Sequence, residues 1–287
     1  MTILVTGATG FIGNYVIKEL LEKTDYSIIA TSRCINNAKT YSWYDRVQYI
    51  EYDFQEKEEK NLFSFFNKPD TLIHLGWEHV SDCQNLSHLE SSLFIHYNFV
   101  KNLIANGLKS ITISGTCLEY GVDGCHDEKQ CAKPTSSYGI AKDTLRRLVE
   151  ELQNEYDFSY RWVRLFFIYG DGQSESSLLS LVDKAIKNSD TTFNMSGGEQ
   201  LRDYMHVSDV AKDIVFLSTL KNYSGIVNCC SGKAISIRRL VEEYLQRADY
   251  KLELNLGYYP YVDYEPMAFW GNNSKIKQLK QQNRQNK

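Results

Sequence analysis

Short apolar runs alternate along the chain with stretches in which apolar residues recur every third or fourth position. The runs near 2–6, 27–31, 47–52, 71–76, 110–115 and 161–168 predict strands. The intervening stretches near 11–23, 91–107 and 136–156 have helical spacing, as in Phe11, Ile12, Val16, Leu20 and Leu21. The last of them opens with Thr135, Ser136 and Ser137 as caps and continues with Leu145, Leu148, Val149 and Leu152. Strands and helices in alternation predict an α/β fold with a parallel sheet covered on both faces. After Gly170 the pattern changes. Helices near 175–188 and 208–220 and short strands near 191–195, 226–229 and 252–256 predict a smaller carboxyl-terminal lobe. Residues 1–170 and 171–287 are thus two expected units, with 206–230 returning to the first. The polar residues from Gln278 to Lys287 are expected to fray.

Composition narrows the partners more than the fold. The chain has 287 residues, is 43% apolar and carries a net charge of −4, which gives no argument for nucleic acid or a membrane surface. It has no apolar run long enough to span a bilayer, and its first residues read as a strand rather than a signal peptide. Seven scattered cysteines without a CxxC pair suit free thiols in the cytoplasm and no metal site.

Three segments carry the chemistry. Gly7-Ala8-Thr9-Gly10-Phe11-Ile12-Gly13 lies between the first strand and the first helix. A glycine turn there lets a pyrophosphate approach the backbone and face the helix amides. Tyr138 and Lys142 of Tyr138-Gly139-Ile140-Ala141-Lys142 stand on one helix face. A neighbouring ammonium favours the phenolate, which suits proton transfer to a carbonyl or hydroxyl. Between them an apolar strand ends in Ser114 and Thr116, which either point into a site at the strand's carboxyl end or cap the following turn. The second strand ends Thr31-Ser32-Arg33 without a carboxylate. A serine and an arginine suit a ribose 2′-phosphate, so NADP(H) is expected over NAD(H), unless Arg33 is a solvated loop residue.

The GxxGxxG turn, the hydroxyl-bearing strand end and the YxxxK helix together resemble the extended short-chain dehydrogenase/reductases, the nucleotide-sugar epimerases, dehydratases and reductases. The resemblance covers almost the whole chain, through Asp70-Thr71-Leu72-Ile73-His74-Leu75-Gly76, Gln200-Leu201-Arg202-Asp203-Tyr204-Met205-His206 and Gly225-Ile226-Val227-Asn228. It implies a Rossmann-like doubly wound sheet. It also implies a cofactor held by Gly7, Thr9, Gly10, Phe11, Ile12 and Gly13, by Ser32 and Arg33, by Asp53 and Phe54, by Leu75 and Gly76, and by Asn98, Ser114, Tyr138 and Lys142. Thr116, Tyr138 and Lys142 would be catalytic. Trp77, Thr116, Glu119, Tyr138 and Arg202 would meet the substrate, with Trp77 and Glu119 equally readable as packing and Arg202 as an ion pair with Asp203 or Asp209. The helices near 91–107 and 136–156 resemble the pair that forms a four-helix homodimer interface in this family.

Departures from family patterns narrow the reaction. The positions of the dehydratases' Asp-Glu pair are Cys117 and Leu118, which cannot eliminate water. Phe167 stands where epimerases often place a substrate-binding asparagine. The short second lobe resembles reductases of surface-polysaccharide (O-antigen) sugar synthesis. The expectation is therefore NADPH-dependent reduction of the C4 keto group of a nucleotide-linked 4-keto-6-deoxyhexose. The alternatives are an NAD-dependent nucleotide-sugar 4-epimerase and a non-catalytic NADP(H)-binding protein.

Overall fold

The computed structural model describes residues 1–55, 60–220, 223–261 and 266–285. Its central sheet has seven parallel strands: β1 (Thr2–Thr6), β2 (Ser27–Ser32), β3 (Gln48–Glu51), β4 (Thr71–His74), β5 (Ser110–Thr116), β6 (Ser159–Leu165) and β7 (Gly225–Cys229). Their spatial order is β7-β6-β5-β4-β1-β2-β3. The chain moves one way from β1 to β3, then restarts on the other side of β1 with β4. The crevice between β1 and β4 is the topological switch point, where such sheets bind ligands.

The strands read as continuous apolar runs because both faces are covered. Alternate side chains go to opposite layers. Ile3 and Val5 pack with Val16, Ile17 and Leu20 of α1 (Phe11–Lys23). Leu4, Ile111 and Ile113 pack on the other side, with Phe99 and Leu103 of α2 (Leu93–Ala105) and Leu145 and Val149 of α3 (Ser137–Glu151). The sheet therefore covers the apolar faces of α2 and α3.

Beyond the sheet, α4 (Leu178–Lys187) precedes α5 (Val207–Thr219), which joins α1 against the sheet. Next, α6 (Ile237–Arg247) packs on α4, enclosing Val182, Met195, Val241 and Leu245. The RDYxH segment is stapled to the turn after β7, because the Asp203 carboxylate accepts from the Ser231 amide at 2.8 Å, the Ser231 hydroxyl at 2.6 Å and the Gly232 amide at 2.9 Å. The segment after Gln278 does not fray as expected. Ser274–Gln285 form helix α7, whose Ile276 and Leu279 pack against the α1 side of the core and whose Lys280 pairs with Asp213. Residues 286 and 287 of that expectation lie outside the described residues.

Candidate active site

The glycine turn follows β1 and abuts the end of β4. Gly7 has φ +65°, and a Cβ there would lie 2.8 Å from the Gly76 amide nitrogen. A Cβ on Gly13 would lie 2.1 Å from the Gly7 carbonyl oxygen, so the helix can begin this close to the strand only without side chains at either place. The Tyr41 hydroxyl donates to the Thr9 carbonyl at 2.7 Å and holds the turn from outside. No side chain caps α1, whose first turn is Phe11, Ile12 and Gly13. Its free amides are suited to an anion.

A groove of about 350 Å³ opens on this turn. Its walls include Gly7, Thr9 and Gly10 on one side, Thr31, Ser32 and Arg33 at the end of β2, and Phe54, Leu75, Gly76, Trp77 and Glu78 across from them. The buried Thr31 hydroxyl in this wall has no protein partner. Glycine backbone, uncapped amides, a cation and an unsatisfied hydroxyl form a donor set that fits a dinucleotide. Ser32 shares its hydroxyl with Tyr49 at 2.8 Å, and the charge at the β2 end is Arg33, which shares the groove wall with Glu78. Asp53 stands outside these walls and accepts from the Gln55 amide at 3.0 Å.

Two residues expected in the site are elsewhere. Asn98 is exposed on the outer face of α2, whose buried face carries Leu93, His96, Phe99, Val100 and Leu103. At 3.6 residues per turn, the position two residues before Asn98 is the one that faces inward. Glu119 is fully buried and is not among the residues that line this groove. Its carboxylate accepts from the Thr116 amide at 2.8 Å, Trp162 Nε1 at 2.9 Å and Arg164 Nε at 2.7 Å. It holds the turn after β5 under the site.

That turn and α3 bring the reactive groups together. Thr116 is the N-cap of the short helical turn 117–119. Its hydroxyl oxygen accepts from the Leu118 amide at 3.3 Å, and the same hydroxyl donates toward the Cys117 sulfur. Cys117 beside it is buried, and burial pushes its thiol up to about 12, so it is no acid or base at neutral pH. Ser136 caps α3 through the Gly139 amide and sets Tyr138 and Lys142 on the inward face. Lys142 is 1% exposed and donates to the Ser114 carbonyl at 2.8 Å, while the Ser114 hydroxyl donates to the His74 carbonyl at 3.3 Å. The Lys142 ammonium stands 5.8 Å from the Tyr138 ring centre. Burial pushes Lys142 down to about 7, against the pull of the Glu119 and Glu78 carboxylates. Burial, then the Glu119 charge, pushes the Tyr138 phenol well above its ordinary range and keeps it protonated. Arg202 is buried, donates to the Leu201 carbonyl at 3.0 Å and lies 5.5 Å from the Phe167 ring centre.

Sequence reasoning missed a buried hydrogen-bond chain beside these groups. Thr6 accepts from the Leu75 and Gly76 amides and donates to His74 Nδ1 at 2.8 Å. His74 Nε2 donates to His96 Nδ1 at 3.0 Å, and His96 Nε2 donates to the Glu78 carboxylate at 3.0 Å. Burial lowers the pKa of both imidazoles and keeps them neutral, as this one-way donor pattern requires. Burial pushes the Glu78 carboxyl up, but the His96 hydrogen bond and the nearby Arg33 charge help bring its net shift downward. The signal was present in part: His74 ends a strand run, and His96 falls on the apolar face of α2.

The model of the NAD dependent epimerase/dehydratase family matches residues 3–230. The chain belongs to this family of extended short-chain dehydrogenase/reductases. The family member described here is 31% identical to the dTDP-6-deoxy-L-talose 4-dehydrogenase (NAD(+)) of Aggregatibacter actinomycetemcomitans, over 94% of this chain and 99% of that protein. It is 26% identical to the dTDP-4-dehydro-6-deoxyglucose reductase of Escherichia coli, over 84% of this chain and 79% of that one. Among solved structures, a mutant of the Bacillus cereus UDP-glucuronic acid 4-epimerase in complex with UDP-4-deoxy-4-fluoro-glucuronic acid and NAD superposes with a TM-score of 0.84. Its identity is 21%, over 97% of this chain and 92% of that one, a likeness of fold. Among the described residues no helix is long and apolar enough to cross a membrane.

Proposed function

We propose that this protein is a nicotinamide-dependent oxidoreductase that reduces the C4 keto group of a nucleotide-linked 4-keto-6-deoxyhexose. The observation that carries this reading is the buried Tyr138–Lys142 pair beside Ser114 and Thr116, at the carboxyl end of β5 and next to the groove of the glycine turn. Two relatives whose names specify C4 redox chemistry on dTDP-linked 6-deoxy sugars support the substrate class.

The dinucleotide would lie along Gly7, Thr9, Gly10, Phe54, Leu75 and Gly76, and bound nicotinamide would supply the hydride. Tyr138 Oη gives its proton to the C4 oxygen as negative charge develops there. The Thr116 hydroxyl, oriented by the Leu118 amide, donates to the same oxygen. The Lys142 ammonium stabilises the phenolate that Tyr138 becomes. Arg202 would take the substrate's phosphates with its planar fork, and Arg33 would take a ribose 2′-phosphate. On this reading residues 1–170 with 206–230 hold the cofactor and, apart from α7, the rest of 171–287 closes over the sugar. The chain works in the cytoplasm, with its seven cysteines free, as a homodimer through α2 and α3, where Phe94 and Ile140 are exposed.

The test is oxidation of reduced nicotinamide with dTDP-, GDP- and CDP-linked 4-keto-6-deoxyhexoses made in place by dehydratases. Turnover with one of them supports the reductase and names its nucleotide. No turnover, together with interconversion of unmodified nucleotide hexoses by protein purified with bound NAD, replaces it with the epimerase. NADPH binding without any turnover leaves only a binding protein. Light scattering that gives a monomer at micromolar concentration ends the dimer.

A further inference from the structure

Trp77 is held on two sides. Its indole stacks on the His96 ring at 4.5 Å and 16°. Its Nε1 donates to His88 Nδ1 at 3.0 Å, and His88 Nε2 in turn donates to the Asp82 carbonyl at 3.0 Å. His96 is itself fixed by His74 and Glu78. The remaining face of the indole lies 4.1 Å from the Lys142 ammonium. Among the described residues, Ser114 is the sole hydrogen-bond acceptor of that ammonium, and no carboxylate pairs with it. After the Ser114 carbonyl, the indole face is the group that compensates this buried positive charge, and His96 and His88 brace it in place.

We infer that Trp77 is a positioning residue for Lys142: a fixed cation–π platform that keeps the ammonium charged and aimed at Tyr138, where an exchange of the same volume for an aliphatic side chain would let it neutralise. This rests on the proposed oxidoreductase reading for its catalytic consequence, but not for the contact itself. The charged and titratable groups that face Lys142 are Tyr138 on its own helix, Glu119 after β5, Glu78 and His74 at the end of β4, His96 on α2, and His88 before it. Burial lowers the pKa of His96, the ring stacked on the indole, so it supports the platform without adding a charge that would compete for it. A desolvated ammonium over a tryptophan face is among the strongest cation–π arrangements.

The test compares the full-length wild type with Trp77→Phe, Trp77→Leu and Lys142→Met. In the unliganded protein, tryptophan emission should show an inflection near pH 7 that is absent from both Lys142→Met and Trp77→Phe. In turnover, Trp77→Leu should lower kcat by about tenfold and leave KM for the nucleotide sugar nearly unchanged. It should also move the alkaline fall of kcat/KM for the dinucleotide to lower pH, and Trp77→Phe should recover most of both effects. If Trp77 is instead a wall of the sugar pocket, KM rises, kcat holds and the pH limb stays in place, which overturns the inference. A lower melting temperature with kcat and the limb unchanged overturns it in favour of simple packing. If no substrate turns over, the oxidoreductase reading fails on its own, and the emission titration still decides: an inflection that survives in Lys142→Met refutes the platform. Should Trp77→Leu not fold, Trp77→Phe and Lys142→Met carry the same decision.

Discussion

Replacing Lys142 by methionine should stabilise the unliganded protein at acid and neutral pH while abolishing turnover. Lys142 is 1% exposed, and its pKa falls from the ordinary 10.5 to about 7, chiefly through burial. Between these values the unfolded chain carries a proton that the folded chain has lost, so wild-type stability rises with pH through this window. Below pH 7 the whole penalty is present, about 5 kcal/mol for a shift of this size; near pH 10 less than about 1 kcal/mol remains. Methionine has no charge to bury and nearly fills the space, but it leaves the Ser114 carbonyl without a donor, a cost of about 1–3 kcal/mol that does not vary with pH. The difference in unfolding free energy between variant and wild type should therefore swing by about 4 kcal/mol between pH 6 and pH 10, favouring the variant at the acid end. Reversible urea unfolding of both proteins across this range measures it, and groups that do not feel the Lys142 charge cancel in the comparison. A difference that stays constant with pH refutes the reasoning, because it means that Lys142 titrates alike in the folded and unfolded chains.

Four further outcomes follow from the same geometry. Tyr138→Phe keeps dinucleotide affinity, measured by calorimetry, and loses about 10²–10⁴-fold in kcat; a near-normal rate removes Tyr138 as the acid. Arg33→Ala erases a wild-type preference for NADPH over NADH in kcat/KM, and a wild type that already prefers NADH overturns the 2′-phosphate role. Glu119→Leu takes the near carboxylate from the buried Arg164 guanidinium, leaving it only Asp143 at 4.0 Å, and costs about 3–5 kcal/mol in urea unfolding, whereas a substrate contact would have changed KM alone. Asn98→Ala leaves dinucleotide Kd unchanged, since its side chain leaves the outer face of α2, and a weakened Kd would contradict that placement.

Most of the frame was legible along the chain. Short apolar runs and period-3.6 spacing located the strands and long helices, because a sheet covered on both faces imposes continuous apolar runs and each helix must bury one stripe. The spacing of Gly7, Gly10 and Gly13 and of Tyr138 and Lys142 was equally readable, since the constraint in each case acts over a few residues. The errors arose where local pattern was silent. Helix α7 is polar along most of its length and is kept by Ile276, Leu279 and the Lys280–Asp213 pair, contacts made across more than sixty residues. Glu119 was readable either as a pocket residue or as packing, and what gives it a packing role is Trp162 and Arg164 of β6, which donate to its carboxylate. Asn98 was placed by resemblance, and a shift of two residues on a helix moves a side chain from the site to the solvent.

Local propensity and hydrophobic period, written into the sequence, were enough to specify an α/β chain with a phosphate turn, a tyrosine–lysine helix and a hydroxyl-bearing strand end. The packing of distant elements settled the rest: that His74, His96 and Glu78 join in one chain, that Trp77 lies against Lys142, and that Glu119 serves the frame. Burial, charge and aim at these positions depend on which side chains the fold brings within about 3–4 Å of one another, and those neighbours come from strands and helices far apart in sequence.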